Sequence, residues 1–189
     1  MPAGNKPSAP SCADELAEII LPDHECHDVR LGDLWSEHPM ALVWLRHYGC
    51  ILCKEHAIQL DRARGEFKAA GARLVLIGQA TPRHAAQFRR QQGIQLPVLA
   101  DEERISYRAA GAKIANMTEL FGPRSVTKGI LAGARTRRIQ TRTVGNSAQL
   151  GGSLVVAPGG AIAWSHMSAD AGDNASPEEI LAAVRTVVA

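Results

Sequence analysis

The 189-residue sequence predicts an α/β domain in which a central mixed sheet is flanked by helices. Three features predict it: strands and helices alternate through the first half, a hairpin follows in the second half, and an amphipathic helix ends the chain. Parallel strands need a crossover connection, usually a helix, whereas antiparallel strands can be joined by a tight turn. The order of elements therefore predicts a parallel half joined to an antiparallel hairpin.

The alternation begins with residues 41–46 (ALVWLR), an almost continuous apolar run typical of a strand buried on both faces. Residues 50–70 are predicted to be helical, because Gly71 supplies a stop signal after them. A second strand follows at 73–77 (RLVLI). The pattern continues with a helix from Thr81-Pro82 to about Gln92, an extended piece at 96–99 and a helix at 101–110.

Ahead of this alternation, residues 1–27 are expected to form a flexible N-terminal segment, so the domain is predicted to span 28–189. The first twelve residues are rich in Pro, Ser, Gly and Asn, and chain termini of this kind are poorly ordered. We expect only a short helix at 14–21 in this segment. A short strand is predicted at 29–31, just before the first long strand.

The alternation is interrupted by an insert at about 113–150, which has no clear periodicity. Between Lys113 and Arg142 it holds seven basic residues and one acidic residue. A linker of this length inside a compact domain is usually a lid, a binding loop or disordered. One interpretation is a solvated cover. The other is a basic lid that steers an anionic substrate, such as a fatty-acid carboxylate, toward the cysteines described below.

After the insert, residues 153–157 and 161–166 are predicted to pair as a hairpin around the turn 158–160. A capping box, Ser176 with Glu179, opens the last helix. The apolar stripe of this helix consists of Ile180, Leu181, Val184 and Val188. The whole arrangement is the plan of the thioredoxin fold.

Composition excludes several classes of function. The 21 basic and 19 acidic residues give a net charge of +2, and aromatic residues make up only 4%, so we expect no nucleic-acid binding. No stretch approaches the roughly 18 consecutive apolar residues of a membrane span, and the N-terminus lacks a secretory pattern. We therefore expect a cytoplasmic protein, in which a close cysteine pair is catalytic or metal-binding rather than a structural disulfide.

The chemistry is predicted to lie in HYGCILCKEH, residues 47–56, where the first long strand gives way to a helix. Gly49 is expected to serve the tight turn, and Cys50 then lies at the helix N-terminus. The free N–H groups and partial positive charge there favour a thiolate. Basic side chains before and after Cys50 are expected to support that thiolate further: Arg46, His47, Lys54 and His56.

The two cysteines are predicted to differ in role. Cys53 shares a mostly apolar helical stripe and should face inward, while Cys50 should lie at an exposed mouth. We therefore expect Cys50 to attack a peroxide oxygen or a disulfide and Cys53 to form the resolving intramolecular disulfide. An external dithiol would then reduce the pair. Cys26 is a weaker candidate for a remote resolving thiol.

The cysteine pair allows three other interpretations. Both cysteines could be small core residues without chemistry, or they could form a non-enzymatic redox switch. A structural zinc site could join them to His24, Cys26 and His27, although the spacing is loose. With the strand–helix junction around it, the motif favours redox chemistry.

The sequence resembles the CxxC-containing, peroxiredoxin-like family of the AhpC/TSA antioxidant class. The resemblance rests on WLRHYGCILCKEHAIQL (44–60), RLVLIGQA (73–80), LPVLADEERISYRAAGA (96–112) and the stretch from QLGG onward (149–184). It implies a thioredoxin-like fold and thiol-based reduction of peroxides or endoperoxides. It also implies a thioredoxin-like reductant and no bound metal or cofactor, and a homodimer is compatible with it.

The resemblance departs from typical peroxiredoxins at the active site. Their motif is Pro-x-x-x-Thr-x-x-Cys, and here Cys50 stands at the Thr position and Cys53 at the attacking Cys position, without the Pro. On that alignment Cys53 could be the attacking residue. Gly151 and Gly152 stand where related folds place a Pro or Arg, and we expect them, with Arg124 of the insert, to border the substrate approach.

Overall fold

The computed structural model describes residues 12–116 and 145–188. The strands are β1 (Ile20–Pro22), β2 (Asp28–Arg30), β3 (Met40–Trp44), β4 (Arg73–Gly78), β5 (Val98–Ala100), β6 (Gly152–Val156) and β7 (Ile162–Met167). The α-helices are α1 (Asp14–Ala17), α2 (Ile51–Ala69), α3 (Pro82–Gln92), α4 (Ile105–Ala109) and α5 (Pro177–Val188), and a 3₁₀ turn covers Leu31–Trp35.

The central sheet is mixed, as the sequence predicts. Its five strands lie in the order β5-β4-β3-β6-β7. Strands β3, β4 and β5 are parallel, whereas β6 and β7 run antiparallel to their neighbours. Val43 at the centre of β3 stands opposite Leu76 of β4 on one side and Ser153 of β6 on the other. This arrangement confirms the predicted thioredoxin-like fold.

The sheet separates two hydrophobic clusters. All five residues of β3 are buried, and alternate side chains point to opposite faces. Ala41 and Val43 belong to the cluster shared with α2, α3 and α5. Leu42 and Trp44 belong to the cluster shared with α1 and α4. Helices thus cover both faces, which explains why the strand has no polar position.

The parallel strands β3 and β4 end at the same edge of the sheet. Their register places Trp44, the last residue of β3, beside Ile77 near the end of β4. The segments that follow, 45–50 after β3 and 79–81 after β4, are therefore neighbours although about thirty residues separate them. The candidate site lies at this edge.

The predicted helix boundaries agree with the structure at most ends. Helix α2 begins immediately after Cys50, and α3 begins after Thr81, whose hydroxyl accepts a hydrogen bond from the His84 amide. Gly93 ends α3 in the left-handed conformation. The predicted capping box of α5 is present: Glu179 accepts from the Ser176 amide at 2.7 Å, and the Ser176 hydroxyl accepts from the Glu179 amide at 3.2 Å.

Two predicted helices are shorter than expected. The helix predicted at 14–21 stops at Ala17, because Ile20–Pro22 pair with Asp28–Arg30 as a small antiparallel sheet. The helix predicted from residue 101 begins only at Ile105. The Asp101 carboxylate accepts hydrogen bonds from the amides of Ile105 and Ser106, so it caps the helix instead of joining it.

The prediction of a flexible segment through residue 27 extends too far. From Ala13 onward the chain packs on the domain, and Ala13, Leu16 and Leu21 are buried in the second cluster. The amide of Ala13 also donates to the carbonyl of Gly160 at 2.9 Å. Residues 12–27 are therefore part of the domain, and residues 1–11 lie outside the described residues.

The two ends of the insert lie side by side. Ile114 forms an antiparallel bridge with Gln149, and the Ala115 amide donates to the carbonyl of Ala148 at 2.7 Å. Residues 117–144, which include Arg124 and most of the predicted basic lid, lie outside the described residues. Among the described helices, none is long and apolar enough to cross a membrane.

Candidate active site

Cys50 lies at the junction between β3 and α2, in the N-cap position of a 19-residue helix. Tyr48 and Gly49 form the turn before it, and the Cys50 amide donates to the carbonyl of His47 at 3.1 Å. The predicted position of Cys50 at the helix N-terminus is therefore what the structure shows. A thiolate there faces the unpaired amides of the first turn.

The expectation that Cys50 lies at an exposed mouth is wrong. Its side chain is only 3% exposed and Cys53 only 2%, so both thiols belong to the first hydrophobic cluster. The whole turn after β3 is enclosed with them, since every residue from 45 to 50 is buried. A reactant that reaches Cys50 must therefore displace part of its surroundings.

Arg46 supplies the positive charge next to Cys50. Its Nη1 donates to the Cys50 sulfur at 3.5 Å, and its Nη2 donates to the carbonyl of Ser147 at 2.8 Å. The guanidinium thus joins the strand–helix turn to the segment that precedes β6. Because Arg46 is itself buried, water screens its charge only weakly.

The two thiols have pKa values shifted in opposite directions. A hydrogen bond from the Cys53 thiol, the charge of Arg46 and the amides of Leu52 and Cys53 lower the pKa of Cys50 to about 6, against the effect of burial. The same hydrogen bond and burial raise the pKa of Cys53 well above its ordinary value. Neither cysteine is in a disulfide, so the Cys53 thiol is available as a donor that favours the thiolate form of Cys50.

The histidines do not contribute the positive charge that the sequence suggests. Burial lowers the pKa of His47 to about 4, and the charges of Arg46 and Lys54 act in the same direction. Burial likewise lowers the pKa of His56 to about 4, although a backbone hydrogen bond with Ala175 opposes the shift. Both rings are therefore neutral at pH 7, which corrects their expected role. Gly49 lies in the turn, and its support of the thiolate stays a prediction.

Aromatic packing holds the turn in place. The Tyr48 ring stacks on Phe88 of α3 with a centroid distance of 4.6 Å. The ring also lies against Gly78 at the end of β4, where a Cβ would come within 2.2 Å of the Tyr48 hydroxyl oxygen. The Tyr107 hydroxyl donates to the carbonyls of Leu45 and Ile77, which ties together the ends of β3 and β4.

Gly151 and Gly152 are required by packing within the sheet. A Cβ on Gly151 would lie 2.1 Å from the carbonyl oxygen of Trp44, and one on Gly152 would lie 2.6 Å from the sulfur of Met167. The space beside each glycine is therefore occupied by the chain itself. Their expected part in admitting a substrate stays a prediction.

Sequence reasoning missed Gln79, the residue that follows β4. Its side chain is buried, and its amide nitrogen donates to the carbonyls of Arg46 and Asn146. Its amide oxygen accepts from the Asn146 amide at 2.8 Å. One signal could have identified it: a polar residue directly after the second parallel strand lies at the same sheet edge as the cysteines.

The structure does not assemble the alternative zinc site. Among residues 12–116 and 145–188, the one group of three or more ligand-type side chains close enough to share an ion is Asp23, Glu25 and His27. This group lies in the loop between β1 and β2 and contains neither Cys50 nor Cys53. Cys26 is exposed in the same loop and Cys12 is exposed near Gly160, so neither is part of the candidate site.

Comparisons with known proteins show the family to which the chain belongs. The family model for the AhpC/TSA antioxidant enzyme matches residues 59–170, more than half of the chain. The chain is 30% identical over 160 residues to the prostamide/prostaglandin F synthase of Danio rerio, covering 82% of this chain and 79% of that protein. It is 27% identical over 175 residues to the human peroxiredoxin-like 2C, covering 88% and 77%.

Solved structures show the same fold at lower sequence identity. Peroxiredoxin Q of Xanthomonas campestris superposes with a TM-score of 0.68 at 16% identity, covering 96% of this chain and 97% of that one. Peroxidoxin BcpB of Mycobacterium tuberculosis gives 0.69 at 19% identity, covering 94% and 97%. Together with the family match, these likenesses confirm the resemblance drawn from the sequence: the chain belongs to the AhpC/TSA antioxidant enzyme family and has the thioredoxin-like fold of the peroxiredoxins.

Proposed function

We propose that this protein is a thiol oxidoreductase that reduces a peroxide, an endoperoxide or a disulfide through a dithiol–disulfide cycle of Cys50 and Cys53. The observation that carries the proposal is the pair itself. Cys50 receives hydrogen bonds from the Cys53 thiol and from Arg46, and its pKa is lowered to about 6. A cysteine in this state is a thiolate at pH 7, which is the nucleophilic form.

With a hydroperoxide, the Cys50 thiolate attacks the terminal oxygen. An S–O bond forms as the O–O bond breaks, which leaves Cys50 as a sulfenic acid and releases an alkoxide that takes a proton and becomes an alcohol. The Cys53 sulfur then attacks the Cys50 sulfur, so a disulfide forms and water leaves. An external dithiol reduces this disulfide by exchange and is itself oxidised to a disulfide.

The geometry favours Cys50 over Cys53 as the attacking residue. Arg46 contacts the Cys50 sulfur, while burial and the hydrogen bond to Cys50 keep Cys53 protonated. A protonated thiol is a poor nucleophile. This assignment supports the predicted order of the two residues rather than the alignment that puts Cys53 first.

The family relationship supports the proposed substrate classes and reductant. Two of the relatives are named as a peroxiredoxin-like protein and as a prostamide/prostaglandin F synthase, so we include both peroxides and endoperoxides. A thioredoxin-like protein is the proposed reductant. The cytoplasmic location, the homodimer, the absence of a bound cofactor and the role of Arg124 in substrate approach stay predictions from the sequence.

Turnover and mass spectrometry test the proposal together. The reduced protein is treated with one equivalent of an organic hydroperoxide, and the mass of the peptide that contains both cysteines is measured. We expect that peptide to lose two hydrogens, and we expect continuous hydroperoxide consumption when thioredoxin and its reductase are added. A Cys12→Ser protein serves as the control, since its exposed thiol is outside the site.

Two other results of this experiment would contradict the proposal. A Cys50–Cys53 bridge without turnover of any hydroperoxide or disulfide substrate would contradict the enzyme and favour the redox switch. No oxidation of either cysteine under these conditions would contradict redox chemistry at this site altogether.

A further inference from the structure

We propose that Gln79 is a positioning residue of the candidate active site, which holds Arg46 against Cys50 by binding both of the backbone segments on which that contact depends. The inference deepens the proposed function and rests on it, because Arg46 and Cys50 are the residues that Gln79 would serve. Gln79 follows the last residue of β4. In the contacts that the structure describes, its side chain touches the sulfur of neither Cys50 nor Cys53.

The first segment is the backbone of Arg46 itself. The Gln79 amide nitrogen donates to the carbonyl of Arg46, a contact that joins the ends of the parallel strands β3 and β4. The Arg46 side chain starts from this backbone position. Its reach toward Cys50 therefore depends on where Gln79 holds the turn.

The second segment contains the acceptor for the other end of the arginine. The Gln79 side chain binds Asn146 twice, donating to its carbonyl at 2.7 Å and accepting from its amide at 2.8 Å. The next residue, Ser147, provides the carbonyl that accepts from Arg46 Nη2 at 2.8 Å. One buried side-chain amide thus holds the backbone from which the Arg46 side chain extends. It also holds the segment whose carbonyl accepts from that side chain.

The close approach of the two segments is built into the backbone. Gly145 has a φ of +89°, and a Cβ on it would lie 2.6 Å from the backbone carbonyl oxygen of Gln79. Only a glycine allows both the left-handed conformation and this contact without strain. The Asn146 backbone therefore comes within reach of the Gln79 side chain.

Arg46 Nη1 lies 3.5 Å from the Cys50 sulfur, within the ordinary range for a hydrogen bond to this large acceptor atom. The contact weakens when either group is displaced, because the N–H must point toward its acceptor. Loss of the Gln79 hydrogen bonds should therefore weaken it without removing any atom that touches Cys50. This separates a positioning role from direct contact with the thiolate.

The test compares two buried glutamines. Gln79→Met removes the three hydrogen bonds of the Gln79 side chain while keeping side-chain length, and Gln149→Met is the matched control. Gln149 is equally buried and donates to the backbone of Lys113 and Leu150, with no described contact to Arg46. The readout is the pH dependence of Cys50 alkylation in the reduced protein, followed by mass spectrometry of the modified peptide.

We expect Gln79→Met to raise the midpoint of Cys50 alkylation by about half a pH unit, less than removal of Arg46 itself would. The thiolate fraction at pH 6 should then fall roughly twofold. Gln149→Met should leave it unchanged. In an Arg46→Met background, Gln79→Met should cause no further shift, because the group that it positions is gone. If Gln79→Met does not fold, Gln79→Asn, one methylene shorter, is measured against the same criteria.

Equal midpoints in Gln79→Met and the wild type, or equal shifts in the two glutamine variants, would overturn the inference. The readout needs no substrate, so its failure is distinguishable from that of the proposed function. A shifted midpoint in a protein that never turns over would contradict the enzyme alone. Turnover with an unshifted midpoint would contradict the role of Gln79 alone.

Discussion

Cys50 and Cys12 carry the same thiol group in opposite surroundings. Cys12 is exposed, and its thiol donates to the Asp14 carboxylate at 2.9 Å, so this hydrogen bond raises its pKa. Cys50 is buried, yet hydrogen bonds from Cys53 and the charge of Arg46 lower its pKa to about 6. The difference shows that the neighbours of a thiol, and not its exposure, decide which cysteine has the lower pKa here.

Replacing each of the two cysteines by serine should give the largest difference between them, in the rate of turnover. Cys50→Ser should reduce hydroperoxide turnover to the uncatalysed background, a loss of at least about a thousandfold. Cys12→Ser should leave the rate unchanged, because its thiol lies outside the site. Steady-state assays with thioredoxin and its reductase measure both.

Cys53→Ser separates the roles within the pair. This protein should still consume one equivalent of hydroperoxide and then accumulate a sulfenic acid on Cys50, which a sulfenic-acid trapping reagent would detect. A full rate in Cys50→Ser, with none in Cys53→Ser, would assign the attack to Cys53 instead.

Replacing the charged neighbour of each thiol by a neutral residue should shift the alkylation midpoints of the two thiols in opposite directions. In the wild type, Cys50 alkylation should reach half of its maximum near pH 6, and Cys12 alkylation only above pH 9. Arg46→Met should raise the Cys50 midpoint by about one unit, because it removes a charge that favours the thiolate. Asp14→Asn should lower the Cys12 midpoint, because it removes a carboxylate that retains the proton.

Peptide-resolved alkylation over a range of pH measures all four midpoints in one experiment. Each variant serves as the control for the other, since Arg46 lies near Cys50 and Asp14 near Cys12. Midpoints for Cys50 and Cys12 that coincide in the wild type would refute the comparison itself.

The smallest expected effect is on stability, and it concerns Cys50 alone. A folded-state pKa of about 6, below the 9.0 of a free thiol, means that the fold favours the thiolate. This contribution is complete above about pH 9 and is lost as the pH falls toward 6. The free energy of unfolding of the wild type relative to Cys50→Ser should therefore rise as the pH increases across this window.

Chemical denaturation under reducing conditions at several pH values measures this difference. The raised pKa of Cys53 lowers the free energy of unfolding as the pH rises above the ordinary pKa of a thiol. The comparison is therefore made at or below pH 9. Cys12→Ser is the control and should show no such slope. A flat difference for Cys50→Ser would mean that the thiolate is not stabilised by the fold.

Much of the fold could be predicted because local signals agree with it. The apolar run at 41–46 specifies a strand buried on both faces, and Gly93 and the Ser176 capping box mark helix ends that the structure shows. The CxxC at a strand–helix junction likewise placed Cys50 at the N-terminus of α2. These features depend on residues close together in sequence.

The rest depends on contacts between distant residues. The burial of Cys50 follows from how the turn after β3 packs, and the neutrality of His47 and His56 follows from that burial. The hydrogen bonds of Gln79 to Arg46 and Asn146 join residues 33 and 67 positions away. No periodicity or spacing in the sequence reports such contacts, so the site's charges were predicted less well than its location.

The Tyr48 ring over Gly78 has a practical meaning for anyone who builds variants of this protein. Even a methyl group at position 78 would collide with the tyrosine, whose movement would in turn disturb its stacking on Phe88 and the turn that carries Cys50. Mutant libraries that aim to widen access to the thiol should therefore leave this backbone position unsubstituted.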